Sequence, residues 1–134
     1  MISRLVIDRK HFEEMLQHVR SHAPLEVCGL LAGKGDRVEK VIPVRNKIQS
    51  ATRFAMDPYE QLEAFNWIDA HALDLLGTFH SHPAGPETVS TTDIEEAAYE
   101  VVHVIWSCSK DVWRARGYWI EKGRTREVPL TMVE

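Results

Sequence analysis

The stretch Thr-Phe-His-Ser-His-Pro at residues 78–83, preceded by the mostly apolar residues 73–79, decides how the rest of the chain can be interpreted. The apolar run carries no helix signal and predicts a buried strand that ends near His82. Side chains two positions apart in a strand point to the same face, so His80 and His82 would project side by side. Two imidazoles placed in this way can hold one metal ion, each at about 2.0–2.1 Å. Ser81 would point to the opposite face and have a supporting role only.

A possible third ligand follows the strand. Residues 83–89 predict a loop, and Ser-Thr-Thr-Asp-Ile-Glu-Glu at residues 90–96 opens a helix with a capping residue and acids in its first turn. Asp93 would lie in that turn, aimed back at the strand end. Two histidines and one carboxylate leave a fourth position for water, which is typical of a catalytic zinc site. Each piece alone also has a structural explanation, since Asp93 could simply belong to a helix capped by Ser90.

An upstream glutamate completes the set of candidate site residues. Glu26 stands at the mouth of a predicted strand, residues 27–32, whose continuous apolar run indicates burial on both faces. A glutamate in that position is costly unless something there requires it. Alone, Glu26 would be interpreted as a surface residue at a strand end; together with the His-x-His pair, a functional role is favoured.

These separated elements together resemble the signature of the JAMM (MPN+) metalloprotease family. They are His-x-His-Pro, the Ser-x-x-Asp that follows, and the upstream Pro-Leu-Glu-Val-Cys-Gly-Leu-Leu at residues 24–31; the resemblance covers roughly residues 24–113. It implies a zinc hydrolase that acts on peptide or isopeptide bonds. It also implies one Zn²⁺ ion held by His80, His82 and Asp93, with Glu26 as general base and Ser90 as a donor to the developing oxyanion.

The resemblance carries expectations about substrate and architecture as well. It implies substrates that are ubiquitin-like proteins ending in Gly-Gly or, in prokaryotic members, small sulfur-carrier proteins of the same fold. This chain lacks room for the long insertions with which eukaryotic relatives grip a second ubiquitin, so a compact tail-processing enzyme is expected. The implied fold is a curved mixed β-sheet packed with helices, the JAMM/cytidine-deaminase-like architecture.

Periodicity and turn signals alone predict a protein of the α/β or α+β class. Strands are predicted at residues 2–7, 27–32, 37–44, 52–56, 73–82, 101–106 and 112–120. Helices are predicted after a cap at Asp8, with Phe12, Met15, Leu16 and Val19 on one face, at residues 58–71, and from Ser90. The tail from Val128 would add an edge strand or remain loose.

The remaining histidines are not expected to bind metal. His11, His18 and His22 lie on or near the first helix without an acid or cysteine at ligand spacing, and are predicted to be surface residues. His103 lies inside an apolar strand and is predicted to be a hydrogen-bonded core residue.

Length and charge exclude several classes of protein. The chain has 134 residues and a net charge of −4, which fits one domain over residues 1–134 and offers no basic surface for nucleic acid. The basic cluster at residues 122–126 is explained by a solvated turn. Neither a signal peptide nor a membrane span is predicted, since no apolar run is long enough, so a cytoplasmic protein is expected. Cys28 and Cys108 are expected to be buried thiols.

Two rival functions stay open. A non-haem Fe(II) enzyme also binds its metal through two histidines and a carboxylate, but it would not need Glu26 or Ser90. A catalytically silent MPN scaffold, acting as a binding module, would keep the fold without the metal, although such a protein is expected to lose at least one ligand. The substrate protein, the type of bond cleaved, the oligomeric state and the need for a partner are left open by the sequence.

Overall fold

The computed structural model describes residues 2–85, 90, 93–94, 97 and 99–134. Within these residues the chain forms eight strands and two helices. All eight strands belong to one mixed sheet, in the order β7-β6-β5-β4-β2-β3-β1-β8. In chain order the elements are β1 (Leu5–Asp8), α1 (Arg9–His22), β2 (Cys28–Lys34), β3 (Arg37–Val44), α2 (Pro58–Ala70), β4 (Asp74–His82), β5 (Val102–Ser109), β6 (Val112–Glu121), β7 (Arg124–Val128) and β8 (Leu130–Val133).

Strand β4 lies in the middle of the sheet, antiparallel to β2 and parallel to β5. Its His80 stands opposite Cys28 of β2, so the histidine end of β4 meets the beginning of β2. Ser81 extends this junction: its N–H donates to the carbonyl of Val27 at 3.1 Å, and its Oγ accepts from the Val27 N–H at 2.9 Å. Ser81 therefore has the supporting role that the sequence predicted, and it holds the chain segment next to Glu26.

The two helices cover opposite faces of the sheet. Helix α1 packs Met15 and Val19 into a core that contains Phe79 and other buried apolar residues of β1, β2, β4 and β5. Helix α2 packs Ala64 and Ile68 against the other face, where alternate residues of β2 point. Burying a large aliphatic or aromatic side chain typically contributes about 1.5–3 kcal/mol, so both helices are fixed by packing. Because successive side chains of a strand point to opposite faces and Phe79 faces α1, His80 and His82 face the α2 side.

The predicted fold class is confirmed, and most predicted elements are present. The two helices on the faces of a mixed sheet agree with the predicted α+β architecture. The tail forms an edge strand, β8, which pairs in parallel with β1. The basic cluster at 122–126 includes a turn at Gly123, but most of it lies in the exposed strand β7. Of the helix predicted from Ser90, Asp93 and Ile94 have helical backbone, Ala97 has no regular secondary structure, and residues 91–92, 95–96 and 98 lie outside the described residues.

One predicted strand is wrong. Residues 52–56 do not join the sheet; only Met56 forms an isolated bridge, to Asn46. The backbone groups on either side of Phe54 bond to the Asn46 side chain instead of to a neighbouring strand, since that amide accepts from the Ala55 N–H and donates to the Arg53 carbonyl. The segment predicted as a strand is therefore held to the fold through the side chain of Asn46.

Smaller predictions had mixed outcomes. His103 is a buried, hydrogen-bonded residue as predicted. His18 was wrongly predicted to lie at the surface: it is half-buried, and burial, followed by the neighbouring His22, lowers its pKa. Cys28 is a buried thiol, whereas Cys108 is only partly buried. Asp8 makes no side-chain capping bond to α1 and pairs with Arg37 instead.

Among the described residues, no helix is both long enough and apolar enough to cross a bilayer.

Candidate metal centre and active site

Three side chains converge at the end of β4. The Nε2 atoms of His80 and His82 lie 3.2 Å apart. The carboxylate of Asp93 completes a triangle, with Oδ1 at 3.0 Å from the His80 Nε2 and Oδ2 at 3.3 Å from the His82 Nε2. This is the one group of three or more potential ligand residues found among the described residues, and it is the set that the sequence predicted.

The triangle has the dimensions of a metal site. Tetrahedral zinc ligands at about 2.0–2.1 Å from the ion are about 3.3–3.4 Å from one another, close to all three separations observed here. The side chains of His80, His82 and Asp93 are 2%, 6% and 7% exposed, so water does not separate the ligand atoms from one another. Two neutral nitrogens and one carboxylate oxygen are donors that zinc accepts readily. The residues present therefore fit a divalent metal ion.

The protonation states of the triad also suit metal binding. Burial lowers the pKa of His80, and His82 adds to this effect against the opposing charge of Asp93. Burial alone raises the pKa of Asp93, but hydrogen bonds from His80 and His82 and from the Ser90 N–H outweigh it and hold that pKa far below its usual range. A neutral imidazole beside an ionised carboxylate is the form in which both groups bind metal ions.

Glu26 lies at the same cavity, in the junction between β2 and β4. It is 6% exposed, and its backbone is fixed on both sides: its N–H donates to the Ser50 carbonyl at 2.8 Å, and its carbonyl accepts from the Asn46 side chain at 3.0 Å. Burial raises the pKa of Glu26 to about 7, with His82 acting against this shift and Asp93 adding to it. A carboxyl group with a pKa near 7 can accept and release a proton at neutral pH.

Ser90 and Asp93 form a reciprocal pair at the start of the described helical residues. The Ser90 N–H donates to Asp93 Oδ2 at 2.8 Å, and the Asp93 N–H donates to Ser90 Oγ at 3.0 Å. This is the arrangement of a capping box, and it fixes the carboxylate that faces the histidines. Since the Ser90 oxygen accepts from Asp93, its own O–H remains able to donate. Ser90 lines the cavity beside the triad.

A cavity of about 530 Å³ contains these groups. Glu26, His82, Ser90 and Asp93 lie along it, and residues 51–56 form one wall. Phe54, in that wall, stacks on the His80 ring with 4.6 Å between centroids and 26° between planes. The structure therefore brings all five predicted site residues together and adds an aromatic cover that the sequence analysis assigned to a strand.

His103 and Thr78 also line this cavity, a placement that the sequence did not predict. His103 Nε2 lies 3.2 Å from the Tyr99 carbonyl, which can only accept, so this nitrogen carries the proton. Its Nδ1 then accepts from the Thr78 hydroxyl at 3.1 Å. Burial lowers the pKa of His103, more than the Tyr99 bond raises it. The only sequence signal for this group was a histidine within an apolar strand.

Comparison with known proteins agrees with the family that the sequence motifs predicted. The family model described as prokaryotic homologs of the JAB domain matches residues 8–119. A probable TtuB-protein conjugate cleaving protease of Thermus thermophilus is 40% identical over 103 residues, covering 76% of this chain and 69% of that protein. A CysO-cysteine peptidase of Mycobacterium tuberculosis is 34% identical over 135 residues, covering 97% of this chain and 92% of that protein.

A solved structure agrees as well. The solution structure of protein DSY2949 from Desulfitobacterium hafniense is 36% identical, with a TM-score of 0.87 over 97% of this chain and 93% of that one. With a family model that covers most of its length, and relatives that match nearly all of it, the chain belongs to the family of prokaryotic homologs of the JAB domain.

Proposed function

We propose that this chain is a zinc-dependent peptidase that cleaves the bond between the C-terminal Gly-Gly tail of a ubiquitin-like or sulfur-carrier protein and an amine. The observation that carries the proposal is the triangle of ligand atoms of His80, His82 and Asp93, with sides of 3.0–3.3 Å, beside the buried Glu26. A structural zinc site is normally closed by four protein ligands, whereas three ligands beside a cavity leave a position for reacting groups.

His80, His82 and Asp93 would hold the ion. When bound, zinc supplies Lewis acidity, lowering the pKa of a water from 15.7 toward about 7 and polarising the carbonyl of the bond to be cleaved. Its protein ligands are held in place before it binds. The β-sheet pairing of β4 with β2 and β5 orients both histidines, and the Ser90 N–H orients Asp93.

Glu26 is assigned the role of general base and then general acid. Its carboxylate accepts a proton from the attacking water and delivers it to the nitrogen of the leaving amine, so that the carboxyl product and the free amine are formed. Burial raises the pKa of Glu26 in the metal-free protein, which favours uptake of a proton by this carboxylate, and a positioned general acid–base group typically contributes about 10²–10⁴ in rate.

Ser90 is assigned the role of oxyanion donor. The Ser90 oxygen already accepts from the Asp93 N–H, so the hydroxyl proton is directed away from that bond. A donor that meets the developing negative charge on the carbonyl oxygen is worth about 10²–10³ in kcat. Because the same residue orients Asp93, its substitution is expected to affect both the reaction and the metal site.

The substrate class rests on the cavity and on the names of the relatives. Small residues dominate the lining outside the polar groups, namely Ala51, Ala55, Ala84, Gly85 and Ala97. Small lining residues leave room for the backbone of an extended Gly-Gly tail. The relatives named as a TtuB-protein conjugate cleaving protease and a CysO-cysteine peptidase support a small protein carrier as the substrate. The free thiols of Cys28 and Cys108 support a reducing, cytoplasmic location.

The rival functions have less support. A catalytically silent scaffold would have no need for three converging ligand atoms in a cavity together with a carboxyl group whose pKa is near 7. A non-haem Fe(II) enzyme would use the same triad, but neither Glu26 nor Ser90 would have a role in it. The peptidase is the function in which every residue of the site has a chemical task.

Cleavage of a ubiquitin-like protein fused through its Gly-Gly tail to a reporter would test the proposal. The reaction is run with added zinc on the wild-type protein, on Glu26→Gln, and on Glu63→Gln as a matched control in an exposed part of α2. We expect cleavage by the wild type and Glu63→Gln, and loss by at least about 100-fold in Glu26→Gln while bound zinc, measured by mass spectrometry, stays equal. Equal activity in Glu26→Gln would overturn the assignment of the base, and no cleavage by zinc-loaded wild type would overturn the substrate class.

A further inference from the structure

Asn46 is a buried side chain, 7% exposed, that follows β3 and lies outside the set of residues assigned to catalysis. Its Nδ2 donates to the carbonyls of Glu26 at 3.0 Å and Arg53 at 3.1 Å. Its Oδ1 accepts from the N–H groups of Ile48 at 3.2 Å and Ala55 at 3.0 Å. A primary amide has two N–H donors and an oxygen with two lone pairs, so this side chain uses its full hydrogen-bonding capacity.

All four of these partners are backbone groups, and two of them are on either side of Phe54. Residues 51–56 have no place in the sheet, so the bonds from Asn46 to Arg53 and Ala55 replace those that a neighbouring strand would supply. The Lys47 N–H adds one further bond, to the Ala55 carbonyl at 2.8 Å. The position of Phe54 over His80 therefore depends on the amide of Asn46.

The same amide of Asn46 also bonds to the backbone of Glu26, the proposed base. Glu26 precedes β2, so its carbonyl does not take part in the regular pairing of that strand and accepts from Asn46 Nδ2 instead. One side chain thus spans the distance between the segment that carries Glu26 and the wall that carries Phe54. Both segments line the cavity, and this link joins them.

We propose that Asn46 is a positioning residue that fixes both Glu26 and the Phe54 wall, and that it thereby sets the selectivity of the site for glycine at the end of the substrate tail. The inference rests on the proposed function. It assigns the selectivity to a residue that touches neither the metal ligands nor the substrate. An aspartate at this position would keep the acceptor bonds to Ile48 and Ala55 and lose the donor bonds to the Glu26 and Arg53 carbonyls, so it breaks the link to Glu26 and weakens the link to the wall.

The kinetic test compares Asn46→Ala and Asn46→Asp with Asn66→Ala, a matched control at an exposed position of α2. Each variant is assayed on two fusions, one ending in Gly-Gly and one ending in Gly-Ala, at a temperature below its own unfolding transition. For both Asn46 variants we expect kcat on the Gly-Gly fusion to fall by about 10–100-fold with unchanged zinc content. The preference for Gly-Gly over Gly-Ala is expected to narrow by at least about fivefold, while Asn66→Ala matches the wild type.

A double-mutant comparison tests whether Asn46 acts through the wall. If it does, the losses in kcat caused by Asn46→Ala and Phe54→Ala are less than multiplicative in the double variant, because the second change removes a ring that is already misplaced. Full multiplicativity, or wild-type selectivity in both Asn46 variants, would overturn the inference. A residue that only stabilised the fold would leave the selectivity of the folded fraction unchanged.

A measurement without activity keeps the inference separate from the proposed function. The Phe54 ring, stacked at 4.6 Å, shifts the ring-proton NMR resonances of His80 in zinc-loaded protein with labelled histidines. We expect these resonances in Asn46→Ala to move toward their positions in Phe54→Ala, and to stay in place in Asn66→Ala. Unchanged His80 resonances in Asn46→Ala would refute the positioning role, even if the wild type failed to cleave either fusion.

Discussion

Replacing Glu26 by glutamine should abolish catalysis and, in metal-free protein above neutral pH, increase stability. Glu26 is 6% exposed, and burial raises the pKa of its carboxyl group from 4.5 to about 7. A raised pKa means that the folded state binds the proton more tightly than the unfolded state does. The ionised form is therefore the one that the fold disfavours, and a neutral amide of the same shape removes that disadvantage.

The sign and size of the effect follow from the pKa difference. Below about pH 4.5 the group is protonated in both states and contributes no destabilisation. As the pH rises the unfolded chain ionises first, and the destabilisation grows until the folded group also ionises near pH 7. The limiting value is about 3 kcal/mol at 1.36 kcal/mol per pKa unit. Water in the open cavity screens part of this, so we expect a gain of about 1–2 kcal/mol for Glu26→Gln at pH 8 relative to pH 5.

Thermal unfolding of metal-free protein at pH 5 and pH 8 would measure this gain. At roughly 4 °C per kcal/mol for a chain of this size, the unfolding temperature of Glu26→Gln should exceed that of the wild type by about 4–8 °C more at pH 8 than at pH 5. The metal must be removed, because a bound cation would favour the ionised carboxylate. Glu63→Gln, which makes the same change in charge at an exposed position, should show no such pH dependence. If the two variants behave alike, or if Glu26→Gln is less stable at pH 8 than at pH 5 relative to wild type, the burial argument for Glu26 is refuted.

Three further changes test the metal centre and its surroundings. Asp93→Asn should lower zinc affinity by at least about 100-fold, because it removes the only negative charge of the triad, and a competition titration with a zinc chelator would measure this. Removing zinc from the wild type should lower the free energy of unfolding by about 4 kcal/mol at a free zinc concentration about 1,000 times the Kd, measured by denaturant unfolding with and without chelator. Ser90→Ala should reduce kcat by about 10²–10³ and the stability by about 1 kcal/mol, since one hydroxyl serves as oxyanion donor and helix cap; kinetics and thermal unfolding would separate the two losses.

The parts of the site that lie close together in sequence could be predicted from the sequence. The same-face placement of His80 and His82 follows from the period of a strand, and the reciprocal bonds of Ser90 and Asp93 follow from the capping residues at the start of a helix. Both are local rules, in which residues two or three positions apart determine the geometry. Glu26 needed the family resemblance, because its relation to β4 depends on strand pairing across more than fifty residues.

The parts that could not be predicted depend on contacts between distant segments. Residues 52–56 were predicted to form a strand, but the Asn46 side chain makes the hydrogen bonds that a partner strand would have made. Strand β8 pairs with β1 from the opposite end of the chain. His18 is half-buried in part because its ring lies 6.2 Å from Phe79 of β4, a contact that no pattern within α1 reveals.

The two faces of β4 have different roles: one packs in the core and stabilises the strand, and the other carries residues of the candidate site. On the α1 side, Phe79 is fully buried in the main core and Ser81 holds the β2 junction, so this face fixes the strand. On the other side, His80 is 1% exposed with its Nδ1 lacking a hydrogen-bond partner among the described residues, and a buried polar atom left in this state typically costs about 1–3 kcal/mol. Glu26 adds a desolvated carboxyl group to the same region. The favourable packing on the α1 side therefore has to offset the free-energy cost of burying the polar groups of His80 and Glu26 on the other side. Groups of this kind are expected where a metal ion and a proton transfer require them, and this asymmetry supports a catalytic rather than a purely structural role for the site.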